Sequence, residues 1–228
     1  MTAIAVVRTP EFIVLAADGA SVDALAQRKA DPEPKIHWMG HFFYTAHGLV
    51  GNTNVGYDLR QLIADNSKHN TLGAIAQAVS EAAQGPLSKA LSQTKREFPQ
   101  QFQEMFSNKQ AAFAASQEQN HLSILSLTFF IENLADVDIK LKAGVRRCPG
   151  PECASSCSDH PFVGPTDFRT KFDLEHPLWW AGSEKEVAAQ AESLIQKTID
   201  LGLPEYGPPI SIVVIKPNGF YWYKNQGV

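Results

Sequence analysis

Apolar residues fall in two kinds of run along this chain. Short unbroken runs lie near both ends, and longer runs with helical spacing lie between them. Ala3 to Arg8 and Phe12 to Ala17 are of the first kind. A run such as Ile13-Val14-Leu15-Ala16-Ala17 leaves no polar face, so it predicts a strand buried on both sides. Thr9-Pro10-Glu11 joins the two as a turn, and Asp18-Gly19 ends the second. Residues 22 to 34 are polar and close on Asp31-Pro32-Glu33-Pro34, whose prolines exclude a helix there. Strand character returns over Lys35 to Val50, carried by Ile36, Trp38, Phe42, Phe43 and Tyr44.

The spacing then changes. Val55 to Ala64 predicts one helix and Thr71 to Ala83 another, with Leu72, Ile75, Ala76, Val79 and Ala83 on one face. Gly85-Pro86 reads as an interruption, and Leu87 to Ser116 as further helix broken at Pro99. Leu122 to Ile131 and Val137 to Val145 predict a pair of strands, and 146–161 a loop insertion. Ser183 with Glu186 three residues on is a capping box, followed by an inward stripe of Val187, Ala191, Leu194, Ile195 and Thr198. A hairpin closes the chain: Ile210 to Ile215, the turn Pro217-Asn218-Gly219, and Phe220 to Tyr223. Runs of strands alternating with runs of helices argue for stacked layers rather than a parallel βαβ sheet. The expectation is an α+β fold in one domain over 1–228, a four-layer α-β-β-α sandwich.

Composition narrows the function classes. The chain has 228 residues, 44% apolar and 19% charged, as in ordinary globular domains of one core. A net charge of −4 without any Lys/Arg run argues against nucleic-acid binding. No stretch of about 18 apolar residues predicts a membrane span. The first residues lack a basic leader and a long apolar core, so no signal peptide is expected, and three cysteines fit a reducing cytoplasm.

Five stretches resemble proteasome β-type subunits and their bacterial proteasome-like relatives among the N-terminal-nucleophile hydrolases. Thr2 leads directly into a strand, and Val14-Leu15-Ala16-Ala17-Asp18 looks like the family's VLAAD segment. Lys35-Ile36 follows a polar connection, and Ala46-His47-Gly48-Leu49-Val50-Gly51 is close to the family's AGLVG. Gly207-Pro208-Pro209 and the strand from Ile210 are similar to the family's last glycine turn and strand. The likeness is tight over residues 2 to 51 and loose from about 90 to 200.

The resemblance implies that Thr2, freed of Met1, is the nucleophile and that its own α-amine is the base. A Thr hydroxyl needs such a base, and an α-amine with a pKa of about 8 suits proton shuttling better than an ordinary Lys. Met1 ahead of a small residue is expected to be removed without an autocatalytic step. By the same resemblance Lys35 sits beside the Thr2 hydroxyl, Asp18 pairs with Lys35, and the Gly48 N–H serves as oxyanion donor. Ser21, Ala46 and His47 would line the substrate groove. The sequence departs from the pattern twice. Pro165, followed by Thr166, stands where the family has a Ser, and Glu205-Tyr206 replaces an Asp and a Ser before the final glycine.

Other groupings have plainer readings. His37, His41 and His47 share strand parity and read as the rim of a sheet rather than metal ligands. Cys148, Cys153, Cys157 and His160 have the spacing C-x4-C-x3-C-x2-H, which is not a common zinc pattern, and read as inert thiols in a loop. Trp179-Trp180 reads as packing or an interface anchor. Phe98, Phe102, Met105, Phe106 and Phe113 exceed what one helix face needs, which points to self-association.

The function expected is a threonine-type peptidase or amidase that needs no cofactor or metal. It would act on a peptide or amide and assemble as a homo-oligomeric ring, with the question of an ATPase partner open. Two alternatives stand beside it: a catalytically silent ring subunit, and an amidohydrolase of small metabolites.

Overall fold

In a computed structural model, residues 2–23, 28–30, 33–99, 102, 109–118, 121–133, 135–148, 162–163, 182–203 and 206–225 are described. The fold is mixed α+β, with antiparallel sheets and three α-helices among those residues. The first sheet has the order β12-β1-β2-β13-β14, from Phe162–Val163, Ile4–Arg8, Ile13–Asp18, Ile210–Lys216 and Gly219–Lys224. The second has the order β11-β10-β9-β6-β5, from Leu141–Cys148, His121–Ile131, Lys109–Glu118, Phe42–His47 and His37–Trp38. Two small hairpins complete the strands: β3 (Ser21–Asp23) with β4 (Arg28–Ala30), and β7 (Gly51–Asn52) with β8 (Tyr57–Asp58). The helices are α1 (Leu59–Asn66), α2 (Leu72–Glu97) and α3 (Glu184–Ile199).

The chain groups into two compact units: residues 1–45, 115–124 and 148–228, and residues 46–114 and 125–147. In the first unit, β1 and β2 form the hairpin expected from the sequence, in register Ile4↔Ala17 to Arg8↔Ile13. The Thr9 N–H closes its turn by donating to the Phe12 carbonyl, 2.8 Å away. β13 pairs with the other side of β2, from Ile210↔Asp18 to Ile215↔Ile13. Alternate residues of a strand point to opposite faces. Ala3, Ala5, Val7, Val14, Ala16, Ile210, Ile212 and Val214 take one face and pack on Val187, Ala191, Leu194 and Ile195 of α3. The capping box forms as expected, with the Ser183 N–H donating to Glu186 Oε2 at 2.7 Å. The opposite face carries Phe220 and Trp222 of β14, which meet Phe43 at ring separations of 4.8 and 5.7 Å, while Trp38 meets Phe220 at 4.8 Å. Within this unit, α3 and the β5–β6 hairpin therefore cover opposite faces of one sheet.

In the second unit α2 is one continuous helix of 26 residues that runs through Gly85-Pro86. The sequence reading of a break there is corrected. A proline crowds the Cβ of the residue before it, and Gly85 has none, which removes much of the steric cost of the helix at that step. The reading of residues 109 to 116 as helix is also corrected, because Lys109–Glu118 is a strand in the second sheet. Its Ala, Gln and Lys content favours helix, and pairing within the sheet overrides that preference. The helix expected at Val55 starts at Leu59, where Asp58 caps it by accepting from the N–H groups of Arg60 and Gln61. Thr53–Val55 is a separate 3-10 turn.

These corrections bear on self-association. Phe102 is buried within its own chain, and Phe98 and Phe113 do not lie on one continuous helix, so these aromatics do not form one surplus helix face. Met105, Phe106, Cys153, Cys157, His160, Pro165, Trp179, Trp180 and Glu205 lie outside the described residues.

Candidate active site

The first unit brings three of the expected site residues together. Thr2 lies two residues before β1 and is 4% exposed, Asp18 ends β2 and is fully buried, and Lys35 is 9% exposed. β1 and β2 are antiparallel neighbours, so the start of one lies beside the end of the other. Two hydrogen bonds tie them there. The Ala3 N–H donates to Asp18 Oδ1 at 2.8 Å, and the Asp18 N–H donates to the Ala3 carbonyl at 3.1 Å.

Asp18 holds a third segment as well. Its Oδ2 accepts from the N–H groups of Ala20 at 3.2 Å and Gly207 at 3.1 Å. The Gly207 carbonyl in return accepts from the N–H groups of Gly19 and Ala20 at 3.0 and 3.1 Å. Close approach requires glycine at position 19, where a Cβ would lie 2.4 Å from Pro209 Cδ and 2.6 Å from its carbonyl oxygen. Burial pushes the Asp18 carboxyl up to about 6, because its charged form loses water. The N–H groups of Gly207, Ala3 and Ala20, and the charge of Lys35, oppose that rise.

Lys35 reaches Asp18 through space rather than by contact. Its Nζ lies 3.3 Å from Glu33 Oε1, and among the described residues that is the carboxylate it touches. The direct Asp18–Lys35 pair implied by the family resemblance is thus replaced by a Glu33–Lys35 pair. Glu33 lies in the polar connection before Lys35, and the family resemblance does not point to it. The available signal was its position before Pro34, which favours extended backbone and puts residues 33 and 35 on one side.

The other expected residues are placed separately. Ala46, His47 and Gly48 open the second unit, at and just after the end of β6. Gly48 has φ 100°, in the region that favours glycine. Ser21 begins β3, with its backbone paired to Ala30. Tyr206, a candidate for the missing hydroxyl, is buried in the apolar cluster under α3.

His37 stacks on Tyr44 at 4.8 Å and His41 meets the edge of Phe42 at 4.9 Å, which gives both a packing role. Among the described residues no group of three His, Cys, Asp or Glu side chains is placed to hold a metal. A concavity of about 550 Å³ lies in the second unit, lined by Ser88, Ser92, Gln93, Arg96, Asp138 and Ile139 among others. It contains none of the expected site residues. No helix among the described residues is long and apolar enough to cross a membrane.

No family model matches the chain, and a search of curated proteins found no match either. The chemistry is therefore argued from the arrangement itself. Ala3, the residue after Thr2, is strapped to a buried carboxylate, with a nearly buried ammonium close enough to influence that carboxylate. Such a grouping can activate a hydroxyl only if a base is at hand and a cation favours the developing negative charge.

Proposed function

We propose that this chain is an N-terminal-nucleophile hydrolase of threonine type, acting on peptides or amides, with Thr2 as nucleophile after loss of Met1. The observation that carries this reading is the strap between the chain start and Asp18, formed by the paired Ala3–Asp18 hydrogen bonds. A buried carboxylate held by three backbone N–H groups is costly unless it has a task, and here it fixes the residue next to the hydroxyl.

In the reaction, Thr2 Oγ1 attacks the substrate carbonyl and an O–C bond forms. The hydroxyl proton passes to the Thr2 α-amine and from there to the leaving nitrogen as the C–N bond breaks. Water, deprotonated by the same amine, then cleaves the ester and restores the hydroxyl. Lys35 favours the anionic oxygen as it develops. Gly48 is proposed as the N–H donor to the substrate oxyanion, and Ser21, Ala46 and His47 as groove residues. Support for the four-layer sandwich comes from the first unit, where α3 and the β5–β6 hairpin cover opposite faces of one sheet. Assembly into a ring belongs to the same proposal.

One observation favours the second reading, a catalytically silent subunit. Tyr206, at the place of the family's Ser, packs in the apolar cluster under α3 and offers a phenol rather than a small aliphatic hydroxyl. Intact mass after incubation with a β-lactone or epoxyketone separates the two. The expected result is loss of Met1 and one adduct, absent in Thr2→Ala. A protein that keeps full turnover with an uncleaved N-terminal tag overturns the mechanism, because the amine is then an amide.

A further inference from the structure

We infer that Glu33 is the carboxylate that positions Lys35 for the reaction, and that Asp18 serves instead to hold the chain start. This rests on the reading of Thr2 as nucleophile. Asp18 has both oxygens engaged by backbone: Ala3 on Oδ1, and Ala20 and Gly207 on Oδ2. Lys35 Nζ instead donates to Glu33 Oε1 at 3.3 Å. Glu33 is itself fixed beside the Asp18 turn, since its N–H donates to the Gly19 carbonyl at 3.0 Å. The side chains of the pair are 10% exposed for Lys35 and 27% for Glu33, so water competes weakly for the ammonium.

The physical reason is one of geometry. A lysine ammonium on four methylenes has many rotamers and three rotatable donors. A charge acting through space lowers its energy without choosing among those rotamers. A charge-assisted hydrogen bond to an anchored carboxylate does both. The two carboxylates thus divide the work: Asp18 orients the backbone next to Thr2, and Glu33 orients the cation. In this reading Glu33 acts on the reaction through Lys35 and is a positioning residue.

The test uses the full chain and a β-lactone probe. Thr2 Oγ1 bonds to the lactone carbonyl carbon, the ring C–O bond breaks, and the hydroxyl proton reaches the released alkoxide by way of the α-amine. Adduct formation is followed by intact mass, and the maximal rate and half-saturating probe concentration are determined separately.

Glu33→Gln is expected to lower the maximal rate about tenfold, the size of one charge-assisted contact, with the half-saturating concentration and melting temperature unchanged. Glu33→Asp, which keeps the charge on a shorter stem, is expected to recover part of that rate. A Glu33→Gln protein that reacts at the wild-type rate overturns this inference alone. Equal losses in both variants with a lowered melting temperature overturn it too, because Glu33 is then structural. A wild-type protein that takes no adduct at Thr2 overturns the hydrolase reading and this inference with it.

Discussion

The two long helices of this chain both bury an apolar face, but they differ in the polar contacts added to it. α3 lies on its sheet through apolar side chains, with Val187, Ala188, Ala191, Leu194 and Ile195 fully buried against β1, β2 and β13. α2 also buries an apolar face, with Leu72, Ile75, Val79, Leu87 and Leu91 among it, and adds polar pins to residues 136–141, which lead into β11. Gln84 Nε2 donates to the Leu141 carbonyl at 2.6 Å, Lys95 Nζ donates to the Asp136 carbonyl at 2.8 Å, and the Ile139 N–H donates to Ser92 Oγ at 2.8 Å. Apolar burial is non-directional and grows with area, whereas each pin is worth little net but costs much if one partner is left buried alone. The difference predicts a graded response to mutation. Leu194→Ala empties a site with no exposure and should cost about 3 kcal/mol in denaturant unfolding. A loss below about 1 kcal/mol would show that α3 is not the main seat of the first unit's stability.

The sheet of that same unit also contains a polar liability in Asp18. Its folded pKa of about 6 lies above the ordinary 3.8, so the folded state holds the proton more tightly than the unfolded chain. Asp18's contribution to stability is then fully present below pH 3.8 and is lost as pH rises through about 6. The change amounts to about 3 kcal/mol, at about 1.4 kcal/mol per pKa unit. Urea unfolding should show wild type losing most of that, about 2.4 kcal/mol, relative to Asp18→Asn between pH 4 and pH 7. Turnover should run the other way and fall below pH 6, because a protonated Asp18 accepts more weakly from the Ala3 N–H that holds the residue beside Thr2. A wild-type and variant pair with parallel stability profiles would contradict the origin assigned to the shift.

The same contrast explains what the sequence revealed. β1, β2, β13 and β14 were legible because unbroken or alternating apolar runs met clear turns, and α3 because Ser183 and Glu186 cap it locally. Residues 109–118 were not legible, because their strand state depends on partners elsewhere in the chain. Gly85-Pro86 misled for a related reason: its punctuation is local, while the helix through it is held by contacts such as Gln84 with Leu141. In the site, Asp18 and Lys35 stood out by motif. The hold of Asp18 on Gly207, 189 residues away, had no local trace.

Ser92 sharpens the comparison at smaller scale. Its Oγ accepts from the buried Ile139 N–H and donates to the Ser88 carbonyl at 2.8 Å. Ser92→Ala leaves the Ile139 N–H without an acceptor, at a cost of about 1–2 kcal/mol. The gain in helix propensity, about 0.5 kcal/mol, offsets part of this. Hydrogen exchange at the Ile139 amide should speed up in the variant, and an unchanged rate would remove the pin from the account.

The smallest effect is expected at Arg96, which pairs with Asp138 on the surface of the second unit. The contact is close, but the two side chains are 57% and 84% exposed, so water and salt compete for both charges. Exposed pairs of this kind are worth about 0–1 kcal/mol, and holding two long side chains in one geometry takes back part of that. Arg96→Ala should therefore lower stability by less than about 1 kcal/mol at low salt and by nothing measurable at about 0.5 M salt, where screening is short-ranged. Ile139 lies next to Asp138 and is held independently through Ser92, so the turn has an anchor that does not depend on charge. A loss above about 1 kcal/mol that persists at high salt would mean that Arg96 seats the turn through packing of its stem. Even this pin of α2 would then act by burial, and the contrast with α3 would narrow.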